Sequence, residues 1–146
     1  LLDYASDLGI VTLDTSALYP NSEHCLGQYN LENFDVITKT IMYDYTLSRY
    51  ENFENIKNTF YSSQRKLGYI EVYGILFSSG NDILDFPELW DLICDFKDKN
   101  YVVESLILMD PSINNITQIT ENYRLYNGGI ITFNFKVMCQ NIEPSQ

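Results

Sequence analysis

The sequence predicts a mixed α+β domain, mainly antiparallel, with two or three helices packed on the strands. Two observations carry this. Residues 36–47, 69–77 and 101–109 are rich in β-branched and aromatic side chains, and the first stretch alternates along its length, as strands do. Residues 86–97 and 113–123 instead place apolar side chains at helical spacing. With no internal repeat or low-complexity tract, residues 1–146 read as one domain, with an ill-defined segment at 1–34 and a tail at 141–146.

Along the chain, Gly9–Leu13 is a candidate short strand, and Tyr19-Pro20-Asn21-Ser22 is a turn. In the 36–47 strand, Ile37, Lys39, Ile41, Tyr43, Tyr45 and Leu47 would share one face. Residues 50–66 carry Phe53, Ile56 and Phe60 at helical spacing and read as a helix or a long loop. In the 69–77 strand, Gly74 marks a bulge or the close passage of another chain. Asp85 is placed to cap the helix at 86–97, with Pro87 in its first turn and Glu88 completing a capping box. Its apolar stripe is Phe86, Leu89, Trp90, Ile93 and Phe96; its acidic stripe is Glu88, Asp91, Asp95 and Asp98. Tyr101–Met109 is apolar on both faces and reads as a central strand. Pro111 ends it, Ser112 caps a following helix, Asn127-Gly128-Gly129 turns the chain, and residues 130–138 form a last strand.

Charge restricts function. Nine Lys and Arg stand against 20 Asp and Glu, a net charge of −11. Such a chain cannot hold nucleic acid by bulk attraction, which needs several cations to displace condensed counterions. No apolar run is long enough to span a membrane, and Leu1–Tyr4 shows no basic-then-apolar leader. Cys25, Cys94 and Cys139 are odd in number and far apart, which fits reduced thiols in an intracellular protein.

The usual catalytic signatures are missing. His24 is the one histidine, and no Ser or Cys near it sits in a nucleophile-elbow context. No glycine loop of phosphate-cradling pattern occurs. His24, Cys25, Cys94 and Cys139 lack zinc-ligand spacing. The reading therefore includes no catalytic residue, no metal and no cofactor. Asp44 interrupts a strand face of Val, Thr and Met, which normal alternation explains as a solvent-exposed face. The 12 tyrosines offer stacking surfaces: Tyr43, Tyr45, Tyr73 and Phe77, with Lys39 nearby, form a candidate single-strand contact.

Gly68-Tyr69-Ile70-Glu71-Val72-Tyr73-Gly74-Ile75-Leu76 resembles a strand of small OB-fold subunits with the pattern G-x-ϕ-x-V-x-G-x-ϕ, where ϕ is apolar. Tyr101–Met109 resembles their closing strand, and Asp110-Pro111-Ser112 with the Ile113–Tyr123 helix is similar to their strand-to-helix ending. These are subunits of replication protein A and its telomeric counterpart, the CST (Stn1–Ten1) complex. Covering residues 68–125, the resemblance implies an OB-type barrel with inserted and C-terminal helices. It implies a nuclear, non-enzymatic subunit of a single-stranded-DNA or telomere complex that works mainly through protein contacts. Ile113, Ile116, Ile119 and Tyr123 would then face a partner helix, from another OB-fold chain.

The size, the charge and the acidic stripe also fit an immunity or inhibitor protein that neutralises a basic toxin or nuclease. A carboxylate-based enzyme ranks third.

Overall fold

The computed structural model describes residues 2–79, 82, 85–109 and 130–133; for 104–109 and 130–133 it describes the backbone. The order is α1 (Leu2–Asp7), β1 (Thr12–Asp14), α2 (Ser22–Leu26), β2 (Asp35–Lys39), α3 (Arg49–Lys66), β3 (Val72–Leu76), α4 (Glu88–Asp98), β4 (Val102–Met109) and β5 (Ile130–Phe133). The strands form one sheet in the order β1-β2-β3-β4-β5, and every neighbouring pair is parallel. Sequential parallel strands with helices between them are successive βα units, the strand order of a (β/α) barrel.

The antiparallel OB-type barrel expected from the sequence does not form. Its confident strands are each separated by a helix, and a helix between two strands returns the chain to the start of the next, which makes neighbours parallel. β4 is central, between β3 and β5. Gly74 pairs in regular register with Ile37 and Glu104, so no bulge occurs there.

The expected strand at 36–47 stops at Lys39. Asn52 dismantles its second half: its amide oxygen accepts from the Asp44 N–H at 2.7 Å and its amide nitrogen donates to the Asp44 carbonyl at 2.8 Å. That fixes residues 40–48 as a compact loop. Ser48 then starts α3 with a capping box, its side chain accepting from the Glu51 N–H while Glu51 accepts from the Ser48 N–H.

α4 also begins differently from expectation. Pro87 is its N-cap, in helical geometry and without a side-chain cap bond. The Asp85 carboxylate is engaged elsewhere, accepting from the Tyr45 hydroxyl at 2.8 Å. The apolar stripe of α4 behaves as read: Leu89, Trp90, Ile93 and Phe96 are buried, with Phe86 half-buried. Phe96 stacks on Phe60 of α3 with ring centres 4.2 Å apart, and Trp90 packs on Phe77 beyond β3. The core thus lies between the sheet and α3 and α4. In the acidic stripe, Glu88 pairs with Arg49 at 3.3 Å and Asp95 with Lys99 at 2.6 Å. No helix among the described residues is long and apolar enough to cross a membrane.

Candidate functional site

Parallel βα units collect their strand-to-helix loops at the carboxyl edge of the sheet, where barrel enzymes place their chemistry. Here that edge holds Asp14 at the end of β1, Lys39 at the end of β2, and the loop between β1 and α2, which carries Tyr19. Lys39 Nζ donates to Asp14 Oδ1 at 2.5 Å and to the Thr15 carbonyl at 2.9 Å. It also lies 5.3 Å from the centre of the Tyr19 ring, within cation–π range. The Lys39 side chain is 15% exposed, while Tyr19 is 48% exposed. A shielded ammonium with one carboxylate partner therefore sits under an open phenol. No described protein group bonds the Tyr19 hydroxyl.

The Tyr19 loop is held firmly. Thr15 and Ser16 are buried; Thr15 Oγ1 and Ser22 Oγ share a hydrogen bond of 2.9 Å, and the Tyr19 N–H donates to the Ser16 carbonyl at 3.0 Å. Behind the loop, Glu23 of α2 is 1% exposed, accepts from Thr38 Oγ1 on β2 at 2.7 Å and pairs with Lys66 at 3.8 Å. Thr38 is the neighbour of Lys39, so this buried carboxylate ties the Tyr19 element to the strand that positions the ammonium.

A second cluster lines the same edge. Tyr43, buried in the loop after β2, stacks on Phe86 beyond β3 with centres 3.6 Å apart. The Arg49 guanidinium lies 5.0 Å from the Phe86 ring centre, and the buried Asp82 carboxylate accepts the Tyr43 N–H at 3.0 Å. Burial pushes the Asp82 carboxyl up from its usual value. The bond that Tyr45 donates to Asp85 pushes the Tyr45 phenol up to about 12. A raised value means that this bond is complete below the ordinary phenol value near 10 and is lost as pH rises through about 12. Phenolate absorbance should therefore show one late-titrating tyrosine, absent in Tyr45→Phe and returned to the ordinary range in Asp85→Asn. An unchanged titration in both variants would refute the bond.

Of the five residues grouped as a nucleic-acid contact, Tyr43 and Tyr45 meet edge to face with ring centres 5.3 Å apart. Lys39 is committed to Asp14, Tyr43 and Phe77 are buried, Tyr73 is half-buried, and Tyr45 is exposed but bonded to Asp85. Ile113, Ile116, Ile119 and Tyr123 lie outside the described residues. Asp44 is exposed and accepts from the Thr46 N–H and hydroxyl, which lowers its carboxyl from the usual value. Among the described residues no group of His, Cys, Asp and Glu is placed to hold a metal ion. Asp14 and Tyr19 were not legible as site residues; the available signal was their place after a strand in an alternating strand–helix chain.

No protein-family model matches the chain, and no curated protein matches it. Solved structures do. A Pseudomonas aeruginosa protein proposed to be an aldo-keto reductase superposes with a TM-score of 0.61 at 17% identity, over 89% of this chain and 62% of that one. A second structure described in the same way, from the same organism, gives 0.60 at 16%, over 89% and 63%. An aldo-keto reductase from Bacillus halodurans, in its apo form, gives 0.63 at 20%, over 91% and 44%. The chain thus spans less than two thirds of each.

What is shared is the fold, a parallel α/β barrel type. That finding overturns the OB-fold resemblance and the non-enzymatic DNA-complex subunit built on it, since the structures it matches have a parallel α/β fold and the sheet here is parallel throughout. The expected OB-fold partner chain falls with it, and the acidic-inhibitor alternative gains no support.

Proposed function

We propose that this chain carries an aldo-keto-reductase-like site at which Tyr19 gives a proton to the oxygen of a carbonyl substrate. The observation that carries the reading is the Lys39 ammonium, bonded to Asp14 and lying against the Tyr19 ring at the carboxyl edge. As the carbonyl oxygen gains negative charge it takes the phenol proton, leaving a phenolate. A fixed ammonium beside that phenolate stabilises it without reorganisation. Asp14 holds the ammonium in place. The neighbours of similar fold, named as reductases, support the same reading.

Reduction also consumes a hydride, which nicotinamide and flavin cofactors carry in enzymes. The described residues supply the proton side of the reaction, and a reduced nicotinamide added to the chain would supply the hydride. The residues above account for the proton and for charge on the substrate oxygen only.

The test is to follow loss of a reduced nicotinamide, mixed with the chain and a panel of aldehydes and ketones. Carbonyl-dependent turnover is expected, slowed about 10²-fold or more in Lys39→Met, as when a preorganised charge is removed. Absence of carbonyl-dependent turnover in the unaltered chain overturns the reading.

A further inference from the structure

At the opposite, amino edge of the sheet, a groove of about 510 Å³ is lined by Asn58, Tyr61, Gln64, Arg65, Tyr69 and Tyr101. It lies where the last turns of α3 pass the entries to β3 and β4, and the carbonyl site has no residue in it. Two residues of its lining, Tyr69 and Arg65, go unexplained by the fold.

Tyr69 has φ of +62° directly after Gly68 at +78°. The left-handed region is strained for any residue with a Cβ, and a glycine or asparagine would close α3 equally well. The closing bond uses only backbone, the Tyr69 N–H donating to the Gln64 carbonyl at 2.7 Å. Nor does packing account for the ring, since Tyr69 is 73% exposed. Residues held in such backbone strain cluster at active sites, ligand clamps and switch regions.

Arg65 is exposed, and among the described residues no carboxylate pairs with it, in a chain with 20 acidic residues and 9 basic ones. Tyr61 and Tyr101 meet edge to face, with centres 6.0 Å apart at 85°, so the groove offers ring walls in two orientations beside Tyr69.

Aromatic walls take a flat ring, and an unpaired guanidinium takes an anion, most favourably the bidentate oxygens of a phosphate. We infer that this groove binds a small ligand joining a flat ring to a phosphate, of the nucleoside monophosphate class. Tyr69 stacks on the ring and Arg65 holds the phosphate. The net charge of −11 disfavours any anion that lacks such a local cation, which makes Arg65 the selective element.

Adenosine monophosphate, adenosine and inorganic phosphate are each titrated into the intact chain by calorimetry, with amide shifts followed by nuclear magnetic resonance. The monophosphate is expected to bind more tightly than either fragment and to shift Tyr61, Tyr69 and Tyr101 while leaving Tyr19 and Lys39 unmoved. Tyr69→Gly relieves the backbone and should melt no lower than the parent chain, yet bind about tenfold more weakly, as loss of one stacking ring entails. Arg65→Gln should bring the monophosphate down to the affinity of adenosine. Equal affinity for the monophosphate and its fragments, unaltered binding by Tyr69→Gly, or shifts confined to the carboxyl edge would each overturn the assignment. None of these outcomes depends on carbonyl turnover.

Discussion

Tyr19→Phe is expected to lower carbonyl turnover by about 10²–10⁴-fold, the usual contribution of a positioned proton donor. The substitution removes one oxygen and keeps the ring, so the contact between that ring and the Lys39 ammonium survives. The fold should scarcely register the change. Tyr19 is half exposed and its hydroxyl has no described protein partner, so the cost in stability should stay within about 0.5 kcal/mol, as for ordinary surface positions. Lys39→Met is the less clean probe, because it also strips Asp14 of its partner and frees the Thr15 carbonyl. A Tyr19→Phe chain with unaltered circular dichroism and melting temperature but collapsed turnover assigns the proton to the phenol. Unaltered turnover would show that the proton comes from elsewhere and would leave Lys39 and Asp14 a purely structural ion pair.

How far this site could be read from the sequence depends on periodicity. The helix at 86–97 was legible because its apolar side chains keep helical spacing, and the strands at 69–77 and 101–109 because their apolar content is bounded by breakers. The order of those elements, strand then helix then strand, already implied a parallel sheet, and the resemblance over residues 68–125 pointed away from that connectivity. Alternation also misled at 40–47. Tyr43 and Tyr45 sit two apart, as on one strand face, yet one is buried and the other 62% exposed, because the Asn52 and Asp82 side chains wrap that segment as a loop. β1 has only three residues, too few for a period to show. Asp14 and Tyr19 therefore stayed hidden. An acid and a phenol five residues apart spell no motif, and become a site only when the sheet brings Lys39, 25 residues beyond Asp14, against them.

Gly27→Ala is expected to damage the fold severely, although its backbone gives no hint of it. Gly27 follows α2 with φ of −65°, a conformation alanine adopts freely. The obstacle is space. A Cβ there would lie 1.9 Å from the Lys66 carbonyl oxygen and 2.9 Å from its carbon, both backbone atoms at the end of α3. No rotamer change relieves that clash, so the end of α2 must move away from α3. The movement would loosen Glu23 from Lys66 and Thr38, and with it the Ser22–Thr15 bond that steadies the Tyr19 loop. Overpacking that shifts backbone costs about 3 kcal/mol or more, a fall of roughly 6–12 °C in melting temperature for a chain of this size. Gly9→Ala separates this effect from conformational strain. Gly9 has φ of +78° but no atom within 4 Å of its virtual Cβ, so only the left-handed penalty of roughly 1–2 kcal/mol applies. Thermal melts of the two variants should therefore rank Gly27→Ala well below Gly9→Ala. The reverse order would mean that α2 and α3 do not meet backbone to backbone, and that the Tyr19 loop is anchored some other way.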